Sequence, residues 1–139
     1  MAPPRCPFCA IVAGETHAHR VLENDVCVAF LDARPLFPGH VLVVPREHRE
    51  TMADLTPAEL AGLFESAQRL CGAVERALRA EGTFVAMNNR VSQSVPHAHV
   101  HVVPRRKGDG LRGFFWPRHA YASDEQAEEV AAKLRAAMR

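Results

Sequence analysis

Three histidines alternate with apolar residues in the run His97-Ala98-His99-Val100-His101. If this run forms a β-strand, the three imidazoles lie on one face, about 6.6 Å apart along the chain. Since the chain has 8 histidines in all, so dense a cluster argues against an ordinary polar face. The residue type and spacing indicate either metal ligation by a His-x-His pair or attack on phosphorus by a neutral imidazole.

The segments on both sides of the run favour the second chemistry for the middle histidine, His99. Upstream, residues 88–94 read Asn-Asn-Arg-Val-Ser-Gln-Ser, which is rich in amide and hydroxyl groups that can bind phosphate oxygens. Downstream, Arg105, Arg106 and Lys107 form a cationic edge. Donors and cations around a nucleophile suit an anionic substrate whose charge is spread over several oxygens.

A second chemical feature opens the chain. Cys6 and Cys9 have the Cys-x-x-Cys spacing, which supplies half of a tetrahedral metal site. A redox pair would have to lie at the start of a helix in a thioredoxin-like unit, and the sequence pattern does not indicate one. The other two cysteines lie within apolar patterns and are expected to be small core residues. Of the five histidines outside the run, His17, His19 and His119 are expected to be solvated.

The elements that position these residues follow from apolar runs and turn signals. Strands are predicted for 26–31, which follows the turn signal Asn24-Asp25, and for 40–44, which ends at Pro45. A proline-rich loop separates these two runs, so we expect them to pair antiparallel. Two further strands are predicted at 83–87 and 97–103. Between the two pairs lies one long helix, and a second helix ends the chain.

Both helices have clear N-terminal signals. Thr56 supplies an N-cap, Pro57 the first helical position and Glu59 the third. Apolar residues then recur at helical spacing from Leu60 to Leu78, and Gly82 is expected to end the helix. The residues from Ser123 to Gln126 cap a final helix that runs to about residue 138. This order of elements predicts an α+β domain.

Composition limits the class of protein. The chain has 139 residues, 47% of them hydrophobic and 24% charged, with a net charge of +1 from 17 basic and 16 acidic residues. We therefore expect one soluble domain, with neither nucleic acid nor a membrane as partner. No apolar run approaches the length of a membrane span or resembles an export signal, so a cytoplasmic location is expected. Residues 108–121 carry Phe114, Phe115 and Trp116 without periodicity. This pattern favours a loop that packs over the edge of the core, and the alternative is an interface or a substrate lid.

The histidine run with its flanks, Gln93-Ser-Val-Pro-His-Ala-His-Val-His-Val-Val103, resembles the signature of the histidine triad (HIT) family. The resemblance extends to the Cys-Pro-Phe-Cys segment 6–9, to Ala-Phe-Leu-Asp at 29–32 with Pro35, and to Pro-Gly-His-Val-Leu-Val-Val-Pro at 38–45. It covers about residues 6–105 and implies a single HIT domain over 1–139, with an antiparallel sheet and an inserted helix. Residues 106–139 would form the aromatic loop and the C-terminal helix.

The resemblance implies a role for each matching residue. His99 corresponds to the nucleophile that attacks the α-phosphorus of a nucleotide, and a backbone carbonyl should fix its reactive tautomer. His101 and Gln93 correspond to phosphate-binding positions, and Ser94 to a residue near the leaving group. The positions that would bind the nucleoside are Phe30, Asp32, His40, Asn88 and Asn89, with Asp32 placed for the ribose hydroxyls. Many members have a glycine-containing loop where this chain has Asn-Asn-Arg-Val-Ser.

The resemblance also implies a cofactor and a partner. Zinc-containing members use two cysteines, a histidine after the Val-Val-Pro strand and the first triad histidine, which here are Cys6, Cys9, His48 and His97. Four protein ligands would make this zinc site structural. The family also forms homodimers that extend the sheet across the interface.

The resemblance implies cleavage of nucleoside 5′-phosphate derivatives, such as phosphoramidates or dinucleoside polyphosphates, by way of a nucleotidyl-histidine. Adenosine nucleotides are the commonest substrates in the family. Two alternatives stay open. One is a hydrolase in which His97 and His99 bind a catalytic zinc with water as the nucleophile, and the other is a nucleotide-binding protein without turnover.

Overall fold

The structure is a computed structural model that describes residues 6–111 and 118–138. The chain divides into two compact units, 1–109 and 110–139. The predicted aromatic segment 114–116 lies outside the described residues. A single domain over the whole chain therefore remains a prediction.

The first unit contains a five-stranded antiparallel sheet. Its elements in chain order are α1 Pro7–Val12, β1 Arg20–Glu23, β2 Cys27–Leu31, β3 Val41–Pro45, a short 3-10 helix Met52–Asp54, α2 Pro57–Leu78, β4 Gly82–Ala86 and β5 Val100–Arg105. The strand order is β1-β2-β3-β5-β4. The α+β prediction is confirmed.

The predicted pairing of the two apolar runs is confirmed, since β2 and β3 pair antiparallel from Cys27↔Pro45 to Leu31↔Val41. The Asn24-Asp25 signal marks a turn between β2 and an additional strand, β1, that was not predicted. In this turn the Asn24 Oδ1 atom accepts hydrogen bonds from the amides of Val26 and Cys27, both at 2.9 Å.

Helix α2 begins as predicted. The Thr56 hydroxyl accepts from the Glu59 amide and the Glu59 carboxylate accepts from the Thr56 amide, which completes a capping box. The expected end at Gly82 is wrong. The helix stops at Leu78 because Arg79 takes a left-handed conformation with φ of 56°, and Gly82 begins β4 instead.

The sheet is covered on both faces. On one face, α2 packs against a cluster that includes Ala29, Val43, Val100 and Val102. On the other face, α1 and the residues around it pack against Val28, Phe30, Leu42 and Val44. Because β2 and β3 are buried on both sides, their sequences are continuous apolar runs rather than alternating ones.

The strand predicted at 97–103 begins later, at Val100. The preceding residues leave the sheet ladder because the Ala98 amide donates to the Arg49 carbonyl at 2.7 Å, and the His97 amide donates to Val95. The expected alternation nevertheless holds within β5. His101 pairs with Leu42 on the α1 face, whereas Val100 and Val102 belong to the α2 face.

The second unit contains helix α3, Asp124–Ala137. As predicted, its N-cap is Ser123, whose hydroxyl accepts from the Gln126 amide at 3.0 Å. Among the described residues, no helix combines the length and the apolar composition that crossing a membrane requires.

Candidate active site and metal cluster

The ring of His99 has one defined tautomer. Its Nδ1 atom lies 2.7 Å from the His97 carbonyl oxygen, and because a carbonyl only accepts, Nδ1 must carry the proton. The Nε2 atom therefore keeps its lone pair. Burial lowers the pKa of His99, so that the ring stays neutral and nucleophilic at neutral pH.

The tautomer of His101 is set by His40, and that of His40 by the backbone. The Leu36 amide donates to His40 Nδ1 at 3.0 Å, so the proton of His40 must be on Nε2. This Nε2–H donates to His101 Nδ1 at 2.9 Å. The remaining nitrogen of His101, Nε2, is consequently a donor, which is the form needed to bind an anionic oxygen.

Burial also holds these two rings in the neutral state. Desolvation, with smaller contributions from His99 and His40, lowers the pKa of His101 to about 4. Desolvation likewise lowers the pKa of His40, against the opposing charge of Asp32, whose Oδ2 lies 3.7 Å from His40 Nε2. A neutral donor chain therefore leads from the Leu36 amide to the ring beside His99, at a centroid distance of 5.0 Å.

Asp32, His40 and His101 also lie close enough for their ligand atoms to surround an ion. The hydrogen bonds argue against that use. His40 has one lone pair, on Nδ1, and the Leu36 amide occupies it, whereas the atom that faces Asp32 and His101 carries the proton. We interpret these three residues as a hydrogen-bond chain.

A different cluster does fit a metal. Cys6, Cys9, His48 and His97 bring four ligand atoms within 4.8 Å of one another. The sulfur–nitrogen distances are 3.4 Å for Cys6–His97, 3.3 Å for Cys9–His48 and 3.5 Å for Cys9–His97. Zinc bonds of about 2.3 Å to sulfur and about 2.0–2.1 Å to nitrogen place tetrahedral ligands about 3.5 Å apart. The spacing of this cluster matches that requirement.

The protonation of the cluster fits a cation as well. The His97 Nε2–H donates to the Pro45 carbonyl at 2.9 Å, which leaves the Nδ1 lone pair facing the sulfurs, as in ligating histidines generally. Burial, followed by the hydrogen bond and charge of Cys6, raises the pKa of Cys9 to about 11. A thiolate at this position therefore requires a cation beside it.

His97 and Phe8 connect the cluster to His99. The His97 ring faces the cysteines, while its carbonyl orients the His99 ring. Phe8, between the two cysteines, contacts the rings of both His97 and His99 at centroid distances of 5.8 and 5.1 Å. Whatever fixes the cysteine segment therefore also restrains His99.

Two of the predicted nucleoside positions lie on the same side of the sheet as these rings. Phe30 is buried and contacts the edge of Phe8 at 5.5 Å between centroids. Asp32 lies beside His40, and its Oδ1 accepts from the Arg34 amide at 2.9 Å. The structure thus brings Asp32, His40, His99 and His101 together, with Phe30 nearby through Phe8.

The predicted phosphate-binding residues 88–94, here called the phosphate loop, form hydrogen bonds with the segment before α2. The Gln93 side chain donates to the Glu50 carbonyl at 2.6 Å and accepts from the Arg90 amide at 2.8 Å. Asn89 accepts from the Met52 amide at 2.7 Å. Asn88 and Ser94 are exposed. Among the described residues, none of these four side chains forms a hydrogen bond with His99 or His101, so their phosphate, ribose and leaving-group roles remain predictions.

Sequence reasoning missed several contributors to the site. They are the Leu36 amide, the carbonyls of Pro45 and Arg49, and the Phe8 ring. Backbone groups carry no signal in a residue type. Phe8 had a signal, since it lies inside the Cys-x-x-Cys segment, but only the fold places His99 against it.

Comparison with known proteins identifies the family. Residues 13–108 match the HIT domain. The chain is 31% identical over 135 residues to the adenosine 5′-monophosphoramidase hnt1 of Schizosaccharomyces pombe, which covers 94% of this chain and 98% of the relative.

Solved structures agree with that match. A HIT family member from Bacillus subtilis superposes with a TM-score of 0.86 at 31% identity, over 94% of this chain and 95% of that chain. A Zn-bound histidine triad family protein from Mycobacterium smegmatis is 37% identical, with a TM-score of 0.74, over 96% and 97% of the two chains. The chain therefore belongs to the histidine triad (HIT) family.

Proposed function

We propose that this protein cleaves nucleoside 5′-phosphate derivatives at the α-phosphorus through a covalent nucleotidyl-His99. The HIT family includes nucleotide hydrolases, among them the S. pombe phosphoramidase. The observation that carries the proposal is the pair of tautomers at adjacent rings. His99 Nε2 has a free lone pair, while His101 Nε2–H is a donor.

The reaction has two displacements at phosphorus. In the first, His99 Nε2 forms a bond to the α-phosphorus as the bond to the leaving group breaks. An amine leaving group takes a proton from solvent as it departs, whereas a phosphate chain departs as its anion. In the second, water displaces His99, which releases the nucleoside monophosphate and a proton. The His101 Nε2–H stabilises the negative charge on the phosphoryl oxygens in both steps.

The proposed substrate is an adenosine nucleotide, because the S. pombe relative is named for an adenosine phosphoramidate. In this proposal Phe30, Asp32 and His40 line the nucleoside pocket, with Asp32 accepting from the ribose hydroxyls, and His40 also supports His101. Gln93 contacts the phosphate, Ser94 lies near the leaving group, and Asn88 or Asn89 reaches ribose or phosphate.

We further propose that the four-residue cluster binds a structural zinc ion. The tetrahedral spacing supports this, as does the Zn-bound relative from M. smegmatis. Zinc would neutralise the thiolates and hold α1 to the segment that bears His99. Protein prepared without chelator should contain one zinc per chain, and Cys6→Ser should lower that content. Unchanged zinc in Cys6→Ser, or no zinc in wild type, would refute the site.

A homodimer with a continuous sheet and a location in the cytoplasm are also parts of this proposal, carried over from the family resemblance. The hydrogen bonds argue against the first alternative, in which His97 and His99 bind a catalytic zinc. The His97 lone pair faces the cysteines, and the His99 Nδ1–H is bonded to the His97 carbonyl. Chelation should abolish a catalytic zinc hydrolase at once, whereas a histidine nucleophile should lose activity only as the fold loosens.

The test is turnover of an adenosine phosphoramidate and of a dinucleoside polyphosphate. We expect wild type to release adenosine monophosphate from at least one of them. His99→Ala should lower kcat by about 10⁴-fold or more, as loss of a covalent nucleophile does. His119→Ala removes an exposed histidine and should leave kcat unchanged. Turnover that survives in His99→Ala would refute the mechanism, and absence of turnover in wild type would favour a binding protein.

A further inference from the structure

Two histidines outside the site are in contact with each other. The rings of His17 and His19 have a centroid distance of 4.8 Å and an interplanar angle of 85°. Both side chains are exposed. Within residues 6–111 and 118–138, neither ring has a hydrogen-bond partner or an ion pair. The contact therefore leaves their ring lone pairs available.

The distance between these rings falls within the range for two imidazoles that bind one metal ion. With metal–nitrogen bonds of about 2.0–2.1 Å and ligand angles of about 90–109°, two imidazole centroids lie about 4.5–5.2 Å apart. The proposed zinc site offers an internal comparison, because His48 and His97 have a centroid distance of 5.0 Å and an angle of 87°.

Hydrogen bonding distinguishes this pair from the active-site pair. His40 and His101 also have close rings, at 5.1 Å and 48°, but His40 Nε2–H donates to His101 Nδ1, and His40 Nδ1 accepts from the Leu36 amide. Among the residues that the structure describes, no such bonds involve the nitrogens of His17 and His19.

The backbone holds the pair in this arrangement. The His19 carbonyl accepts from the Leu31 amide at 2.9 Å, and the Thr16 amide donates to the Ala10 carbonyl at 3.2 Å. Between the two histidines, Ala18 packs against the α1-side cluster. His17 and His19 are exposed on either side of the partly buried Ala18, which is the alternation expected of extended backbone and leaves both imidazoles on the solvent side.

We propose that His17 and His19 form a two-imidazole clamp for a divalent transition-metal ion, separate from the four-residue cluster and from His99. Neutral imidazoles suit Ni²⁺, Cu²⁺ and Zn²⁺, and water would complete the coordination of the exposed ion. The affinity is lower than that of a closed site, since two ligands come from the protein instead of four. The clamp does not depend on the proposed hydrolase activity.

The test uses Ni²⁺ with tag-free protein to which one equivalent of zinc has been added. Isothermal titration of wild type should show one Ni²⁺ per chain. His17→Gln and His19→Gln should each weaken binding by at least about tenfold, the lower limit of what loss of even an outer partner costs a metal site. His119→Gln, at another exposed histidine, should bind Ni²⁺ as wild type does. Thermal melting should be unchanged in all three variants, because the replaced side chains are exposed.

Paramagnetic broadening of amide NMR signals locates the ion. We expect broadening around residues 16–20 and at Leu31, whose amide bonds to His19. Equal Ni²⁺ affinity in wild type and the double variant His17→Gln/His19→Gln would overturn the proposal, and so would broadening centred on the cysteines or on His101. Hydrolysis measured in parallel separates this outcome from failure of the proposed function, since the clamp variants should retain full kcat.

Discussion

At the scale of single residues, the site depends on which nitrogen of each imidazole carries the proton. His99 donates through Nδ1 to a carbonyl, and His40 accepts through Nδ1 from an amide. Two backbone groups of opposite character thus give the two rings opposite tautomers. His99 keeps its lone pair at Nε2, where the proposed attack would occur, while His40 makes His101 a donor. Replacing either histidine by another polar residue would keep a polar side chain there but would lose the defined position of the proton.

Because His101 is buried in its neutral state, the folded protein should lose stability at acid pH. Its pKa falls from the ordinary 6.5 to about 4 on burial, so the unfolded chain binds a proton before the folded chain does. Stability should therefore decline as the pH falls from about 6.5 to about 4. Each unit of pKa shift corresponds to about 1.4 kcal/mol, and the partial exposure of His101 reduces the total to about 1–2 kcal/mol.

Denaturant midpoints at pH 7 and pH 4.5 test this prediction. His101→Gln removes the group that must be protonated, so the variant should lose less stability than wild type between the two pH values. Both proteins retain the cysteine cluster, and any loss of metal at low pH cancels in the comparison. Parallel losses in the two proteins would show that His101 has no such role.

At the scale of elements, the long apolar patterns could be read from the sequence and the short connecting elements could not. Strands β2 and β3 and helix α2 were predicted because each buries a regular set of side chains. Helix α1 was missed because six residues are too few to show a period. The His97 end of the β5 prediction was wrong because Arg49, distant in sequence, takes the Ala98 amide.

The same reasoning applies to the site. Its residue types and the Cys6, Cys9, His48 and His97 grouping could be predicted from family spacing. The carbonyl that fixes the His99 tautomer was expected from the resemblance, and the His97 carbonyl fills that role. The tautomers of His40 and His101 could not be predicted, since they depend on the Leu36 amide that the fold brings to His40. The phosphate loop shows a further limit of prediction from sequence. Gln93 bonds to Glu50 as well as to Arg90, and the bond to Glu50 depends on two segments that only the fold brings together.

The start of α2 supports the segment that carries His48. Glu59 accepts from the Thr56 amide at 2.8 Å and from Arg49 Nε at 3.0 and 3.2 Å. Thr56→Ala removes one cap and should cost about 1 kcal/mol of unfolding free energy. Glu59→Ala keeps the bond from its backbone amide to Thr56 but removes the carboxylate that accepts from both the Thr56 amide and Arg49, so it should cost at least about 1 kcal/mol more. Urea denaturation measures both, and equal losses would mean that the Arg49 pair contributes nothing.

At the scale of the whole molecule, the two edge strands of the sheet differ in how regularly they pair with their neighbours. Strand β1 pairs with β2 through a register irregularity between Arg20 and Leu22, and such irregularities hinder further pairing. Strand β4 pairs with β5 in continuous register from Gly82 to Ala86. If the sheet continues into a second copy, the β4 edge is the better candidate.

Matched substitutions at the two edges test this prediction. Val85 on β4 and Val21 on β1 are 40% and 48% exposed, so a lysine at either position can reach solvent. Light scattering should show a dimer for wild type and for Val21→Lys, and a monomer for Val85→Lys. A monomeric wild type would refute the dimer, and a monomer produced only by Val21→Lys would assign the interface to β1.

The most direct test of the central claim is the intact mass of protein quenched during turnover of an adenosine phosphoramidate. We predict that wild type gains the mass of one adenylyl group and that peptide mapping places it on His99. His99→Ala should gain none and should form product at least about 10⁴-fold more slowly, whereas His119→Ala should behave as wild type. Product formation by His99→Ala at a rate near that of wild type, or an adduct on another residue, would contradict the account.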